Sequence, residues 1–443
     1  MRSRRVAAAC FLASFWGSAV AAESAKTPAY PRLEIFARAL SHIENSYVGN
    51  VDQDAIIEGA IRGMLKVLDP HSAYLNAEEL RILDSDTQGQ FGGVGIEVDV
   101  NDGWLTVLHV MANGPAARAG VQVGDRLLSI EDSPARDLSI EDALSRMRGD
   151  PGTQVRVQLR RRGVEAAVAV TLVRDMIHID AVEGRLLPDH VVYVRLRIFQ
   201  EDSAEQVHRV IDEAVDHAAG DGGVRGILFD LRDNPGGLLS AAVLIADEFL
   251  RDGVIVSTRG RGGKLLRENR ASAAGTRPDW PMVVLVNGYS ASASEIVAGA
   301  LHDQHRAVLV GTRTFGKGSV QNVIDLPDGS AMKLTTALYY TPNGSSIQAR
   351  GIEPDVVIEQ LDPGVLREAR LGAGDITEAS LTGHLAMPAA GPDSAGPPAK
   401  AAQPRNALRN GASGQTERSA FEGDYQAFMG HQMLKALMVQ RAR

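Results

Sequence analysis

Apolar positions change their spacing three times along the chain. Over residues 33–83 they recur at helical intervals, first Ile35, Leu40, Ile43 and Tyr47, then Ile56, Ile57, Ile61, Met64, Leu65 and Leu68. Asp69-Pro70-His71-Ser72 stops the second run, because Pro70 lacks a donor and restricts the residue before it. From about Gln90 to Arg174 the period shortens. Ile96-Glu97-Val98-Asp99-Val100 alternates, and residues 105–110, 127–130, 155–159 and 168–172 predict further short strands. A short helix at 115–120 and a longer one at 140–147 lie between them, which makes a small β-rich domain. From about Ile177 to Ile358, apolar strands (191–196, 226–231, 282–286, 307–310) alternate with helices (204–218, 241–250, 293–302). That alternation predicts an α/β domain with a mainly parallel core sheet. Some way beyond Leu361 the pattern dissolves into Ala, Gly, Pro and Ser. Residues 386–418 read as a disordered linker, and 425–439 as an amphipathic helix that docks on the body or on a partner.

The first residues bear on location. Arg2, Arg4 and Arg5 precede an apolar stretch over 6–20 that ends in Ala19-Val20-Ala21. This is the pattern of a secretory signal peptide, residues 1–22, and is too short to span a bilayer comfortably; an uncleaved anchor helix is the alternative. No other stretch is long and apolar enough to span. The expected product is exported, soluble or peripherally associated with the envelope, and periplasmic. Cys10, the one cysteine, falls inside the leader, which excludes a disulfide framework, a cysteine zinc site and an iron–sulfur cluster. The 443 residues suggest two to four domains. With 55 acidic against 46 basic side chains, the balance argues against a nucleic-acid binder.

Three stretches carry candidate chemistry. Gly92-Gly93-Val94-Gly95-Ile96 is a glycine loop entering a strand; its amides can form a nest for a carboxylate, or it is a plain turn. Ser292 sits between a buried strand and a helix, where nucleophilic serines are found, although Ser292-Ala293-Ser294-Glu295 also fits a capping box. A histidine base is excluded by reach: His302 and His305, with Asp303, lie three turns along the helix, roughly 15 Å away. Residues 311–319 nearly spell a P-loop, but Gly318 stands where Ser or Thr is required, and a strand and turn follow instead of a helix. Lys317 in that stretch is a general base if burial removes its charge.

The stretch from Gly114-Pro115-Ala116 to Leu127-Leu128-Ser129-Ile130 resembles the PDZ domain, over about 90–174. That resemblance implies capture of a peptide C-terminus, with its carboxylate on Gly93, Val94, Gly95 and Ile96. More widely, Ser290-Ala291-Ser292-Ala293-Ser294-Glu295 and Thr314-Phe315-Gly316-Lys317-Gly318-Ser319-Val320-Gln321 resemble the carboxy-terminal processing (tail-specific) proteases, the S41 Ser-Lys peptidases. Asp69-Pro70-His71-Ser72-Ala73-Tyr74, Asp230-Leu231-Arg232-Asp233-Asn234-Pro235-Gly236-Gly237, Tyr339-Tyr340-Thr341-Pro342-Asn343-Gly344 and Gly351-Ile352-Glu353-Pro354-Asp355 extend the likeness over roughly 33–360. Ser345 and Ser346 depart from it, where the family often has Arg.

The resemblance implies Ser292 as nucleophile, Lys317 as base, Gln321 orienting the lysine amine, and the amides of Gly236 and Ala293 as oxyanion hole, with Gly237 as the rival to Gly236. It implies an α+β/α/β multidomain fold: a helical region at 30–88, a PDZ domain at 89–175, a crotonase/ClpP-like peptidase core at 176–360, and a linker with terminal helix at 361–443. The expected activity is cleavage of proteins with free apolar C-termini through an acyl-enzyme, with no metal or organic cofactor. An adaptor or activator protein and a homo-oligomer are open partners. The rival readings are a non-catalytic PDZ scaffold and a crotonase-like enzyme acting on thioesters.

Overall fold

The computed structural model describes residues 30–361, 421 and 423–441. The leader and the linker expected from the sequence lie outside the described residues. The chain divides after Met64 into two units. The first holds α1 (Tyr30–Ser46) and the start of α2 (Gln53–Lys66), with Leu33, Ile35, Phe36 and Ile43 exposed along α1.

In the second unit a short strand β1 (Ala73–Leu75) leads to α3 (Ala77–Gln88). Asn76 begins α3 with a reciprocal capping box: its side chain accepts from the Glu79 amide, and Glu79 accepts from the Asn76 amide. Strand β2 (Gln90–Gly93) pairs antiparallel with β9 (Asp175–His178), so the two ends of the β-rich region meet in one two-stranded stem. Between them β3 (Ile96–Asn101), β4 (Trp104–Val110), β5 (Arg126–Ile130), β7 (Gln154–Arg160) and β8 (Val168–Val173) form an antiparallel sheet in that order, with β6 (Ser133–Pro134) on β5. Strand β7 shows the alternation cleanly: Val155, Val157 and Leu159 point inward and the residues between them face water. Helices α4 (Pro115–Arg118) and α5 (Ile140–Met147) close this core. All five strands and both helices expected from the sequence are found here.

The α/β region is built on a six-stranded sheet in the order β10 (Val182–Leu186), β11 (Val191–Leu196), β12 (Gly226–Asp230), β15 (Met282–Val286), β16 (Val308–Gly311) and β19 (Val356–Val357). Every pair is parallel except β10 with β11. The strands are apolar on both faces because both are covered. Ile227, Phe229, Val284 and Val286 pack against α6 (Ser203–Ala218), α7 (Leu239–Asp247) and α8 (Ala293–Asp303). Leu228, Val283 and Leu285 on the other face pack against α9 (Tyr425–Arg441) through Ala427, Leu434 and Met438. The expected terminal helix therefore docks on the body of its own chain.

A second sheet was not expected as a unit. It runs β1, β18 (Ala331–Tyr340), β13 (Val254–Arg259), β14 (Leu265–Arg270), with β17 (Ser319–Asp325) on β18. Much of β14 and β17 is exposed, so these strands lack the apolar runs that mark the parallel sheet. Among the described residues no helix is long and apolar enough to cross a membrane.

Candidate active site

Strand β15 ends at Val286, and a tight turn carries the chain into α8. Two of the three serines in this turn are already used. The buried Ser290 hydroxyl donates to the Leu231 carbonyl at 2.8 Å, and the buried Ser294 hydroxyl donates to the Asn234 carbonyl at 2.9 Å. Both therefore fasten the turn to the loop after β12. Ser292 stands between them, half-buried, with φ 55° and ψ −110°. Such a backbone is costly for a residue with a Cβ, about 1–3 kcal/mol, and persists only when its surroundings enforce it. A strained serine between strand and helix is the arrangement that presents a nucleophile.

What enforces it is Glu295, whose side chain is fully buried. One carboxylate oxygen accepts from the amides of Ser292 and Lys317, each at 2.8 Å. The other accepts from the Gly316 amide at 2.7 Å and the Thr314 hydroxyl at 2.6 Å. Because one oxygen holds both amides, the backbones of residues 292 and 317 are no farther apart than twice that distance. The expected capping role is thus half the function of Glu295, which also closes the gap between the two loops. Burial pushes its carboxyl above the usual range, and the four donors pull it part of the way back.

The Lys317 side chain is half-buried and makes no hydrogen bond or ion pair among the described residues. Burial first, and then the charge of nearby Lys333, lowers its pKa from the ordinary lysine value. His71 belongs to the same basic group: burial, then Lys317, holds its pKa down, with Asp69 opposing. The Asp69-Pro70-His71-Ser72 turn is wound round the Asp69 carboxylate, which accepts from the His71 amide, the Ser72 amide and hydroxyl, and the Thr335 hydroxyl. Burial raises the Asp69 pKa, but these donors outweigh it and hold the group below the usual range.

Gln321, on β17, donates to the Ser319 hydroxyl at 2.8 Å and the Thr335 hydroxyl at 3.4 Å. No hydrogen bond joins it to Lys317 among the described residues. The geometry also separates the two glycines. Gly236 donates its amide to the Asn234 side chain at 2.9 Å, while that side chain donates to the Leu196 carbonyl at 2.8 Å. The amides of Gly237 and Ala293 have no acceptor among the described hydrogen bonds. Both glycines are needed. Gly236 has φ 103°, and a Cβ there would sit 2.8 Å from the Ser292 Cβ; Gly237 has φ 140°, and a Cβ would meet the Phe199 carbonyl oxygen at 2.1 Å.

The same loop is anchored by Arg232, an element that sequence reading did not single out. Its guanidinium makes a bidentate pair with Asp230, at 2.9 and 2.6 Å, and a second with Asp424 just before α9, at 2.7 Å on each arm. Tyr193 donates to Asp230 at 2.9 Å. The candidate histidine base His302 falls elsewhere. His302 lies at the far end of α8 between Asp303 and Asp355, each at 3.2 Å. The near P-loop runs into β17, as its sequence predicts.

In the β-rich region the Ala116 amide donates to the Val94 carbonyl and the Met111 amide to the Gly95 carbonyl. The amides of Val94 and Gly95 have no acceptor among the described hydrogen bonds. Strand β3, beginning at Ile96, is the edge of its sheet, and its Ile96 and Val98 pack with Ala143 and Met147 of α5 and its C-terminal end. An edge strand beside a helix, entered through unbonded amides, is an arrangement that an extended chain can join as an added strand.

Comparison with known proteins agrees with this architecture. The description of peptidase family S41 matches residues 190–358, a PDZ domain matches 106–161, and the activating protease CtpB N-terminal domain matches 16–79. The chain is 41% identical over 356 residues to a carboxy-terminal-processing protease of Bartonella bacilliformis, covering 80% of this chain and 81% of that one. It is 38% identical over 308 residues to a carboxyl-terminal-processing protease of Synechocystis, covering 68% and 70%. Among solved structures, the photosystem II D1 C-terminal processing protease aligns with a TM-score of 0.44 and 30% identity, over 75% of this chain and 88% of that one.

Proposed function

The chain belongs to the S41 serine peptidases that process proteins at their carboxy termini, and from that premise we propose an exported endopeptidase working through Ser292 and Lys317. The observation that carries the pairing is the Glu295 carboxylate holding the Ser292 and Lys317 amides on one oxygen. Neutral Lys317 takes the Ser292 hydroxyl proton as the serine oxygen adds to the scissile carbonyl carbon. The negative oxygen is received by the amides of Ala293 and Gly237, with Gly236 supplying the close backbone approach. The lysine then gives its proton to the departing amine, leaving an ester on Ser292. Water, losing a proton to Lys317, adds to that ester; as the ester C–O bond breaks, Lys317 returns the proton to the Ser292 oxygen, which frees the new carboxyl end and restores the serine hydroxyl and the neutral lysine. Gln321 orients the lysine amine in this cycle once it turns from Ser319. No metal or organic cofactor enters any step.

The region 89–175 acts as a PDZ domain, holding the substrate's terminal carboxylate on the Gly93-Val94-Gly95-Ile96 nest while the chain threads to the core at 176–360. Export rests on the leader pattern of residues 1–22, and the expected compartment is the periplasm. The match to an activating protease's N-terminal domain supports a role for the helical region in assembly or activation, and the exposed apolar residues of α1 suit a second copy of the chain.

The test is cleavage of an unfolded protein with an apolar C-terminal tail by the purified mature enzyme, beside Ser292→Ala and Lys317→Ala. Cleavage by the wild type alone is expected. Tail binding with no cleavage by any form would overturn the reading in favour of a scaffold.

A further inference from the structure

Aromatic side chains are scarce in this chain, at 5%. Among the described residues from 65 onward, only two Phe, Tyr or Trp side chains are strongly exposed, Tyr289 at 74% and Phe315 at 63%. They lie in different loops, yet both flank the same place. Tyr289 is three residues before Ser292, and Phe315 is two before Lys317.

Their backbones are fixed. The Phe315 amide donates to the Ser290 carbonyl at 3.1 Å, which ties one loop to the other. Phe315 also lies between Thr314 and Gly316, both bonded to Glu295. The Tyr289 amide donates to the Asn287 side chain at 3.1 Å. Two large rings on rigid supports, facing water beside a nucleophile, leave apolar surface uncovered where a polypeptide must pass. Exposed apolar surface of this kind marks contact sites, and aromatic residues dominate the energetics of such contacts. Because the two loops that carry these rings also carry Ser292 and Lys317 and are tied together by the Phe315–Ser290 bond, the occupant that fits is the substrate itself.

We propose that Tyr289 and Phe315 form an aromatic rim that grips a bulky apolar side chain of the extended substrate close to the scissile bond. This inference rests on the proposed peptidase reading. It adds selection at the cut, separate from selection at the chain end.

The test uses unfolded substrates with one constant apolar tail. At each of the three positions on either side of the cut, Leu or Phe is compared with Ser. Wild type is expected to favour the apolar residue at one position at least by ~10-fold in kcat/KM, the scale of a side chain entering an apolar site. Phe315→Ala and Tyr289→Ala should each lose more on the apolar substrate than on the Ser substrate, so that the preference collapses in the double variant. Phe315→Tyr and Tyr289→Phe should restore it. An undiminished preference in the double variant, or an equal loss on all substrates, overturns the rim while leaving the peptidase reading in place. A wild type inactive on every substrate overturns both.

Discussion

Glu295 holds together a pair that lies 25 residues apart in the chain. A glutamine there would set an amide N–H₂ against two of the four donors that now meet a carboxylate oxygen. Buried donors without acceptors cost about 1–3 kcal/mol each, so Glu295→Gln should lose about 3 kcal/mol of unfolding free energy in urea titration. Displacing either loop by about 1 Å costs on the order of 100-fold in turnover, so kcat should fall with stability. Thr314→Val, which removes one donor, should do less of both. Lys317 carries a separate prediction. As the proposed base it acts only when neutral, so activity is expected above its pKa and is lost as pH falls through it. Burial, and next Lys333, lower that pKa, and the acidic limb of the kcat/KM profile should fall below the free lysine range near about 10.4. The other charged groups nearby are His71 and the Glu295 carboxylate. Lys333→Met should move the limb toward higher pH, and Lys333→Arg should leave it in place.

Among the elements, what could be read from sequence was what is local. The strand, turn and helix round Ser292 are contiguous, and the parallel strands declare themselves as short apolar runs because both faces are covered. The second sheet did not, because β14 and β17 are largely solvated and their apolar positions are sparse. The same limit applies to side chains. Ser292-x-x-Glu295 reads as a cap, but the reach of Glu295 to residues 314–317 is a tertiary fact with no local mark. Gly236 and Gly237 look alike in sequence; what distinguishes them is the bond that the Gly236 amide donates to Asn234. The pairing of Arg232 with Asp424 spans 192 residues. It makes α9 a support of the active-site loop. Asp424→Ala should cost about 2–3 kcal/mol in thermal or urea unfolding, the lower edge for a broken buried pair because Asp424 is partly open to water. It should also lower kcat more than it raises KM, since the Arg232 guanidinium is buried and engaged by Asp230 and Asp424. Leu434→Ala, at a fully buried site on α9, should cost about 2–5 kcal/mol.

At the scale of the molecule, the proposed function puts two recognition surfaces on one substrate. In that proposal the amide nest at Val94 and Gly95 reads the chain end, and the rim beside Ser292 reads the cut. They should separate experimentally. Converting the substrate's terminal carboxylate to an amide should raise KM by ~10-fold or more, the scale of a charge-assisted hydrogen-bond set worth about 1.5–3 kcal/mol, with the cut position unchanged. An unaltered KM would show that the nest does not hold the tail.

The Arg232–Asp424 bridge also imposes an order on synthesis. A ribosome adding about 5–20 residues each second delivers Asp424 roughly 10–40 s after Arg232. For the last part of that interval, about 5–20 s at the same rate, the nascent chain already carries Ser292 and Lys317, but the loop bearing Gly236 and Gly237 lacks one of its two carboxylate anchors. The proposed active-site loop is therefore fully anchored only when residue 424 has been made, and a chain stalled short of it should be a poor peptidase.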